Sequence, residues 1–284
     1  MNQMVGLVGF GAIGSIFAEQ LRTAGCRVLV FDVDPGAMER ARAAGFEVAD
    51  SPAGIAERCG IIDLIVRTDA DVLAAVAGPR GIAERAQRGS TVIVHSTVSL
   101  PTTFQVAEVM QSRGAGLFDA CPTEMPAGLR AGDNIFLAGG DTGLVERLRP
   151  HLLHMAKDVL HLGPLGAGNV AKMVKNLVIA SERLIVREAL LLGEAAGLHY
   201  LQALEMLRAT SFGSGAPLAE NWESAFDPAG AGPTLKPTSN LFQKDVPLAA
   251  ELGRSHGLDL PVIFELERAG LAAAAAAQPG GNRR

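Results

Sequence analysis

The first half of the chain alternates short apolar runs with longer segments in which apolar residues recur at helical spacing. Such runs, bounded by glycine, proline and polar residues, predict buried strands that alternate with helices. The predicted strands are residues 4–8, 27–31, 61–66, 91–94, 115–119 and 135–138. The predicted helices between the earlier strands are residues 12–24, 35–44, 70–77, 82–87 and 102–112. This order predicts an α/β fold in which βαβ units surround a parallel sheet.

The second half of the chain has a purely helical pattern. Residues 168–196 continue without a proline, which predicts a helix about 43 Å long. Further helices are predicted at residues 200–209, 217–225, 239–256 and 261–277. We therefore expect two domains, an α/β domain over residues 1–165 and an all-α domain over residues 166–284.

Composition and charge exclude several classes of partner. The 25 basic and 30 acidic residues give a net charge of −5 without a basic stripe, so we expect no nucleic-acid partner. No apolar run reaches the length of about 18 residues that a membrane span needs, and the first residues lack the basic region of a signal peptide. The three cysteines, Cys26, Cys59 and Cys121, are far apart, which favours reduced thiols and a cytoplasmic location.

A glycine-rich segment follows the first predicted strand and opens the first predicted helix. It reads Gly9-Phe10-Gly11-Ala12-Ile13-Gly14. The glycines allow a tight turn and a close approach of the backbone to a pyrophosphate, and the helix N-terminus offers N–H groups to the phosphates. The segment predicts a dinucleotide cofactor held at Gly9, Gly11, Ala12, Ile13 and Gly14; the alternative is a glycine-rich turn without a ligand.

An acidic residue ends the second predicted strand. Asp32 lies 18 residues after Gly14, close to the spacing of about 20 at which a carboxylate binds the adenosine ribose. No arginine follows it immediately to bind a 2′-phosphate, so the sequence favours NAD over NADP. The alternative is that Asp32 only caps the turn.

A lysine and an asparagine share one face at the start of the long helix. Lys172 and Asn176 are four residues apart. A lysine in a partly desolvated cleft can transfer a proton, and an asparagine can orient a substrate hydroxyl. The alternative for Lys172 is a solvated surface charge.

Four segments, in this order, resemble the β-hydroxyacid dehydrogenase family, which includes 3-hydroxyisobutyrate and 6-phosphogluconate dehydrogenases. They are Gly9–Gly14; residues 119–125 with Gly132, Gly139 and Gly140; residues 166–176; and residues 244–249. The resemblance implies a Rossmann NAD(P)-binding domain followed by an all-helical domain. It also implies that Lys172 is the catalytic lysine, that Asn176 binds substrate, and that Lys244 lies by the nicotinamide and the substrate.

The resemblance assigns further residues and exposes departures. Thr123 replaces the family's substrate-binding serine and keeps a hydroxyl, while Glu124 and Met125 replace two glycines. Thr68 and Thr97 correspond to loops beside the cofactor. The departures at Glu124, Met125 and Lys175 (which stands for an asparagine) bear on substrate identity. Ile179 replaces the glutamate acid of the 6-phosphogluconate type, which argues against decarboxylation.

These features together predict hydride transfer between NAD and a short β-hydroxyacid, or its semialdehyde or keto form. The alternatives are an imine reductase on the same fold, whose relatives generally replace the lysine, and a non-catalytic NAD-binding protein. We expect a homodimer or homotetramer. His95 is either a residue of the nicotinamide loop or a core histidine at a strand end, and His151 with His154 lacks a third ligand, so we expect no metal.

Overall fold

A computed structural model describes residues 4–195, 198–209, 241–255 and 261–276. The strands are β1 Met4–Val8, β2 Arg27–Phe31, β3 Glu47–Val48, β4 Ile61–Leu64, β5 Thr91–Val94, β6 Gly116–Pro122, β7 Ile135–Gly139 and β8 Asp158–His161. The helices are α1 Gly14–Thr23, α2 Pro35–Ala43, α3 Pro52–Arg58, α4 Asp69–Ala77, α5 Ile82–Arg85, α6 Leu100–Ser112, α7 Pro126–Ala131, α8 Thr142–Leu152, α9 Ala167–Ala195, α10 Tyr200–Ala209, α11 Val246–Ser255 and α12 Pro261–Ala276, with a π-helical turn at Leu241–Asp245. The helix predicted at residues 217–225 lies outside the described residues.

The strands form one sheet in the order β3-β2-β1-β4-β5-β6-β7-β8. Neighbouring strands are parallel except for β6 and β7, which are antiparallel. The prediction of a parallel sheet is therefore wrong at that pair, because the connection between them holds only the short helix α7 and provides no full crossover. β1 lies between β2 and β4, so the strands that follow β1 in the chain are added first on one side of it and then on the other. Ligands of such sheets bind at this switch point, beyond the carboxyl ends of the strands.

Polar side chains begin several helices of the sheet domain. Asp34, Ser51, Thr68, Ser99 and Asp141 each accept a hydrogen bond from a backbone N–H in the first turn of the helix that follows. Such caps satisfy N–H groups that have no partner within the helix. The helices therefore start at fixed points relative to the ends of the strands.

Helices cover both faces of the sheet, and each face has its own apolar core. Phe17, Phe118 and Phe136 are fully buried on one face. Ile62 and Val92 are fully buried on the other face. This arrangement confirms the predicted Rossmann-type architecture.

Contacts divide the chain into two compact units, Met1–Lys172 and Met173–Arg284. The described residues of the second unit are helical except for Leu198 and His199. Its buried apolar residues come from α9 to α12 and include Ala180, Leu184, Tyr200, Val246 and Leu266. Among the helices described in either unit, none combines the length and apolarity that crossing a membrane requires.

Candidate active site

The glycine-rich loop after β1 has the shape that a bound pyrophosphate requires. Gly9 has a φ of +103°, and a side chain there would overlap the carbonyl oxygen of Ile65. A side chain at Gly14 would overlap the carbonyl oxygen of Gly9, whereas a Cβ at Gly11 would meet no atom within 4 Å. The loop thus packs tightly at its first and last glycines and leaves its middle open to a ligand.

The first turn of α1 completes this cradle. Ile13 occupies the N-cap position, where its side chain makes no capping hydrogen bond. Gly11 and Ala12 are exposed and border a cavity of about 870 Å³. Uncapped N–H groups and the positive end of the helix dipole favour an anion here. These residues therefore fit the phosphates of a dinucleotide.

Asp32 lies directly after β2 and connects the cradle to the next turn. Its Oδ2 accepts a hydrogen bond from the N–H of Phe10 at 2.6 Å, and its Oδ1 accepts one from the N–H of Asp34 at 2.8 Å. Each oxygen has a further lone pair, so the carboxylate is able to accept ribose hydroxyls as well. The nearest basic group along α2, Arg40, forms an ion pair with Asp34 at 3.6 Å.

Hydrogen bonds join the loops that follow β4 and β5. The Ser96 hydroxyl accepts from the N–H of Val66 and donates to its carbonyl oxygen, both at 2.8 Å. Thr97 comes next and is nearly buried. Thr68 is exposed, and its hydroxyl accepts from the N–H of Asp71 at the start of α4. The two threonines predicted to contact the cofactor thus lie on loops that are tied to each other.

The predicted substrate segment runs from the end of β6 into α7. The Thr123 hydroxyl accepts a hydrogen bond from the N–H of Ile135 at 3.0 Å, so it also takes part in the pairing of β6 with β7. The Glu124 side chain folds back over Gly128, where an added Cβ would overlap its carboxylate. Met125 is 63% exposed at the N-cap of α7.

The predicted catalytic residues both lie in α9. Lys172 is partly buried, and Asn176 is nearly buried one turn later. Asn176 Nδ2 donates to Asp245 Oδ2 at 2.8 Å, and Lys244 Nζ lies 4.0 Å from Asp245 Oδ1. The second unit thus brings Asn176 and Lys244 to the same carboxylate, which fixes the orientation of the asparagine amide.

A buried aspartate in β6 holds the start of α9. Asp119 accepts hydrogen bonds from the N–H groups of Gly166 and Asn169, each at 2.6 Å. Burial raises the pKa of Asp119 to about 6, although bonds from this turn favour its charged form. This carboxylate anchors the helix that carries Lys172.

His95 belongs to a buried cluster in the core. Its Nε2 lies 2.9 Å from Asp63 Oδ1, its Nδ1 lies 2.7 Å from the carbonyl oxygen of Ala120, and His151 Nε2 lies 2.9 Å from Asp63 Oδ2. Of the two readings of His95, the structure supports the core histidine. His151 pairs with Asp63, and the described residues contain no group of three side chains able to hold a metal.

The pKa values of this cluster are coupled through charge. Burial favours the neutral acid at Asp63, but the charge of His151 and the hydrogen bonds from His151 and His95 outweigh it, so the pKa of Asp63 lies well below its usual range. Burial likewise disfavours the charged form of His151, yet attraction by Asp63 raises the pKa of His151 above its usual value. The cluster is therefore a buried ion pair with a second histidine bound to it.

Two family descriptions cover almost the entire chain. Residues 4–163 match the NAD binding domain of 6-phosphogluconate dehydrogenase, and residues 166–283 match the NAD-binding domain of NADP-dependent 3-hydroxyisobutyrate dehydrogenase. The chain belongs to the β-hydroxyacid dehydrogenase family. The predicted family, the cofactor class and the oxidoreductase class are thereby confirmed.

Other members of this β-hydroxyacid dehydrogenase family match over nearly their full length. An uncharacterised oxidoreductase of Mycobacterium tuberculosis is 30% identical over 91% of this chain and 88% of its own. The 2-(hydroxymethyl)glutarate dehydrogenase of Eubacterium barkeri is 29% identical over 93% of this chain and 89% of its own. The solved structure of M. tuberculosis 3-hydroxyisobutyrate dehydrogenase with L-serine is 27% identical, covers 97% of this chain and 94% of its own, and has a TM-score of 0.78.

Sequence reasoning missed four polar residues that the structure ties into its hydrogen-bond network: Asp63 in the core, and Asp119, Asn169 and Asp245 beside the candidate site. Asp63 and Asp119 interrupt otherwise apolar strands. A buried carboxylate in a strand needs a partner, so these two positions carried a readable signal. Asn169 and Asp245 sit beside residues that the resemblance had already selected.

Proposed function

We propose that the protein catalyses the reversible, NAD-dependent oxidation of a short acid whose primary alcohol lies on the β-carbon. The observation that carries this proposal is the position of Asn176 one turn after Lys172 in α9, with the asparagine amide bound to Asp245. A base and an oriented amide at this spacing suit removal of a hydroxyl proton. The products are the semialdehyde, NADH and a proton.

The chain's own residues hold the cofactor and the proton. Bound NAD supplies the hydride acceptor. Gly9 to Gly14 bind its pyrophosphate and Asp32 its adenosine ribose, which favours NAD over NADP, while Thr68 and Thr97 line its other half. The neutral amine of Lys172 takes the hydroxyl proton as hydride leaves the carbon that bears the hydroxyl, and in the reverse direction the ammonium returns the proton.

Asn176 orients the reacting oxygen. One N–H of its amide is bound by Asp245, so the second N–H and the carbonyl oxygen remain as the groups able to meet a hydroxyl. Lys244 adds positive charge for the substrate carboxylate. Thr123 and the backbone N–H groups of Glu124 and Met125 bind the same carboxylate, while the Glu124 side chain folds back over Gly128.

The molecules named in the descriptions of two relatives share one chemical feature. 3-Hydroxyisobutyrate, 2-(hydroxymethyl)glutarate and L-serine all carry a CH₂OH group on the carbon next to a carboxylate. We propose a substrate of this type. Ile179 stands where a decarboxylating relative has its acid, and Lys172 argues against imine reduction, because imine reductases generally replace this lysine.

The proposal extends to assembly and location. We propose a homodimer or homotetramer. We also propose a cytoplasmic location, because Cys26, Cys59 and Cys121 form no disulfide. We also propose that the domain boundary lies near residue 165, between the two matched regions.

A substrate panel tests the proposal. Acids with a CH₂OH group on the α-carbon should reduce NAD, as followed by NADH absorbance, and NADP should react more slowly. Lactate, a 2-hydroxyacid, and an amine panel serve as controls for alcohol position and for imine chemistry. Turnover of amines but of no hydroxyacid would overturn the proposal, and NAD binding without any turnover would favour a non-catalytic protein.

A further inference from the structure

The start of α9 is bound to the sheet by a charged group far away in the sequence. Asp119, in the middle of β6, is fully buried, and its two oxygens accept separately from Gly166 and Asn169. The first N–H groups of a helix have no partner within it and carry the positive end of its dipole. The carboxylate therefore fixes both the position and the rotation of this turn.

The same turn sits directly on the sheet backbone. A Cβ at Gly139 would lie 2.5 Å from the nitrogen of Ala167, and a Cβ at Gly168 would lie 2.6 Å from Asp119 Oδ2 and overlap the carbonyl oxygen of Leu137. Both positions therefore exclude any side chain. This close packing leaves the turn no room to slide along β6 and β7.

Asn169 supplies a second attachment. It is fully buried, its Oδ1 accepts from the N–H of Val98 at 2.9 Å, and its Nδ2 donates to the Thr103 hydroxyl at 3.4 Å. Val98 directly follows Thr97 in the loop proposed to face the cofactor. Lys172 lies three residues after Asn169, which is a rise of only about 4.5 Å along the helix.

We propose that Asp119 and Asn169 are positioning residues, which set the location of the Lys172 amine relative to the loop at residues 95–99. This inference rests on the proposed role of Lys172. Misplacing a reacting group by about 1 Å costs about 10²-fold in rate. In Asp119→Asn one oxygen becomes an NH₂ group that faces a backbone donor, so the turn must shift or rotate.

The test compares single and double variants in turnover of the best hydroxyacid. Asp119→Asn should lower kcat about 10- to 100-fold, raise the deuterium isotope effect on kcat, and leave the NAD dissociation constant within about twofold. In Asp119→Asn/Lys172→Ala the rate should be no lower than in Lys172→Ala alone, because both changes act through one group. Amide exchange at residues 166–170 should accelerate in Asp119→Asn.

The matched control is Asp141→Asn, since Asp141 caps α8 through the N–H of Leu144 and has no bond to α9. It should leave kcat unchanged and change the melting temperature only slightly, because asparagine caps a helix nearly as well as aspartate. If Asp119→Asn does not fold, Asn169→Ser takes its place with the same expectations. A kcat within about threefold of wild type in a folded variant, or fully additive losses in the double variant, would overturn the inference. Normal kcat in Lys172→Ala would instead reject the proposed function itself.

Discussion

Replacing Asp63 with asparagine removes the charge that holds two buried histidines. The Asp63 side chain is fully buried, and both of its oxygens are bound by ring nitrogens of His95 and His151. Asparagine keeps the size of the side chain but offers one acceptor and one donor, so its NH₂ group must face a histidine. In the wild type, His95 Nε2 faces one oxygen of Asp63 and His151 Nε2 faces the other. The cluster therefore uses two acceptor oxygens, which asparagine cannot offer.

Breaking a buried pair by removing one partner costs about 3–5 kcal/mol, because the remaining charge stays buried without compensation. That is a large part of a typical stability of about 5–15 kcal/mol. At about 2–4 °C per kcal/mol for a domain of this size, we expect the melting temperature to fall by about 6–20 °C. Circular dichroism during heating measures this.

The dependence on pH gives an independent check of the same cluster. The pKa of Asp63 is lower in the folded protein than the value of about 3.9 in an unfolded chain. The ionised side chain therefore stabilises the fold above a pH of about 3.9, and this stabilisation is lost as the pH falls towards the folded-state pKa. The pKa of His151 is raised above about 6.5 in the folded protein. The charged ring therefore stabilises the fold below that pH, and this stabilisation is lost as the pH rises through the folded-state pKa. Asp63→Asn should abolish the loss of stability at alkaline pH, because without Asp63 burial lowers the pKa of His151.

A surface carboxylate provides the control. Asp133 forms an exposed ion pair with Lys157 at 3.5 Å, and such pairs contribute about 0–1 kcal/mol. Asp133→Asn should therefore leave the melting curve nearly unchanged at every pH. An Asp63→Asn protein that melts no lower than this control, or that keeps the wild-type pH dependence, would refute the reasoning.

Asp32→Ala should weaken NAD binding by about 1–3 kcal/mol and reduce the preference over NADP in calorimetric titrations, whereas Asp34→Ala should do neither; a wild-type preference for NADP would contradict this. Glu124→Gly should change KM for hydroxyacids by less than about twofold, because the carboxylate folds back over α7; a large fall in KM would mean that it faces the substrate. Asp245→Asn should raise KM for the hydroxyacid and leave NAD affinity unchanged, since it disturbs Asn176, and equal losses for both ligands would argue for misfolding.

Local sequence patterns predicted the parts of this fold that depend on neighbouring residues. The bounds of β1, β2 and β5 agree with their apolar runs, and α9 begins and ends within one residue of its prediction. α8 was missed although Asp141 caps it and Val145, Leu148 and Leu152 recur at helical spacing. β3 has only two residues at a sheet edge, too few to give a pattern.

Local patterns could not predict the hydrogen bonds between polar residues that are far apart in the sequence. Asp119 binds residues 47 and 50 positions away, and Asn176 meets Asp245 across 69. Such contacts exist only once the chain has folded, so spacing along the sequence carries no trace of them. The family resemblance selected Lys172, Asn176 and Lys244. The structure adds Asp119, which binds the start of α9, and Asp245, which binds Asn176 and lies 4.0 Å from Lys244 Nζ.

Proton exchange between Lys172 and the substrate hydroxyl is tested most directly by the kcat of Lys172→Ala with the best hydroxyacid. A positioned base contributes about 10²–10⁴-fold, so kcat should fall by that factor while NAD affinity stays nearly unchanged. Lys172→Arg should not restore the rate, because a guanidinium cannot accept the proton, and Lys157→Ala on the surface should match wild type. A Lys172→Ala enzyme whose kcat lies within about threefold of wild type would contradict the account.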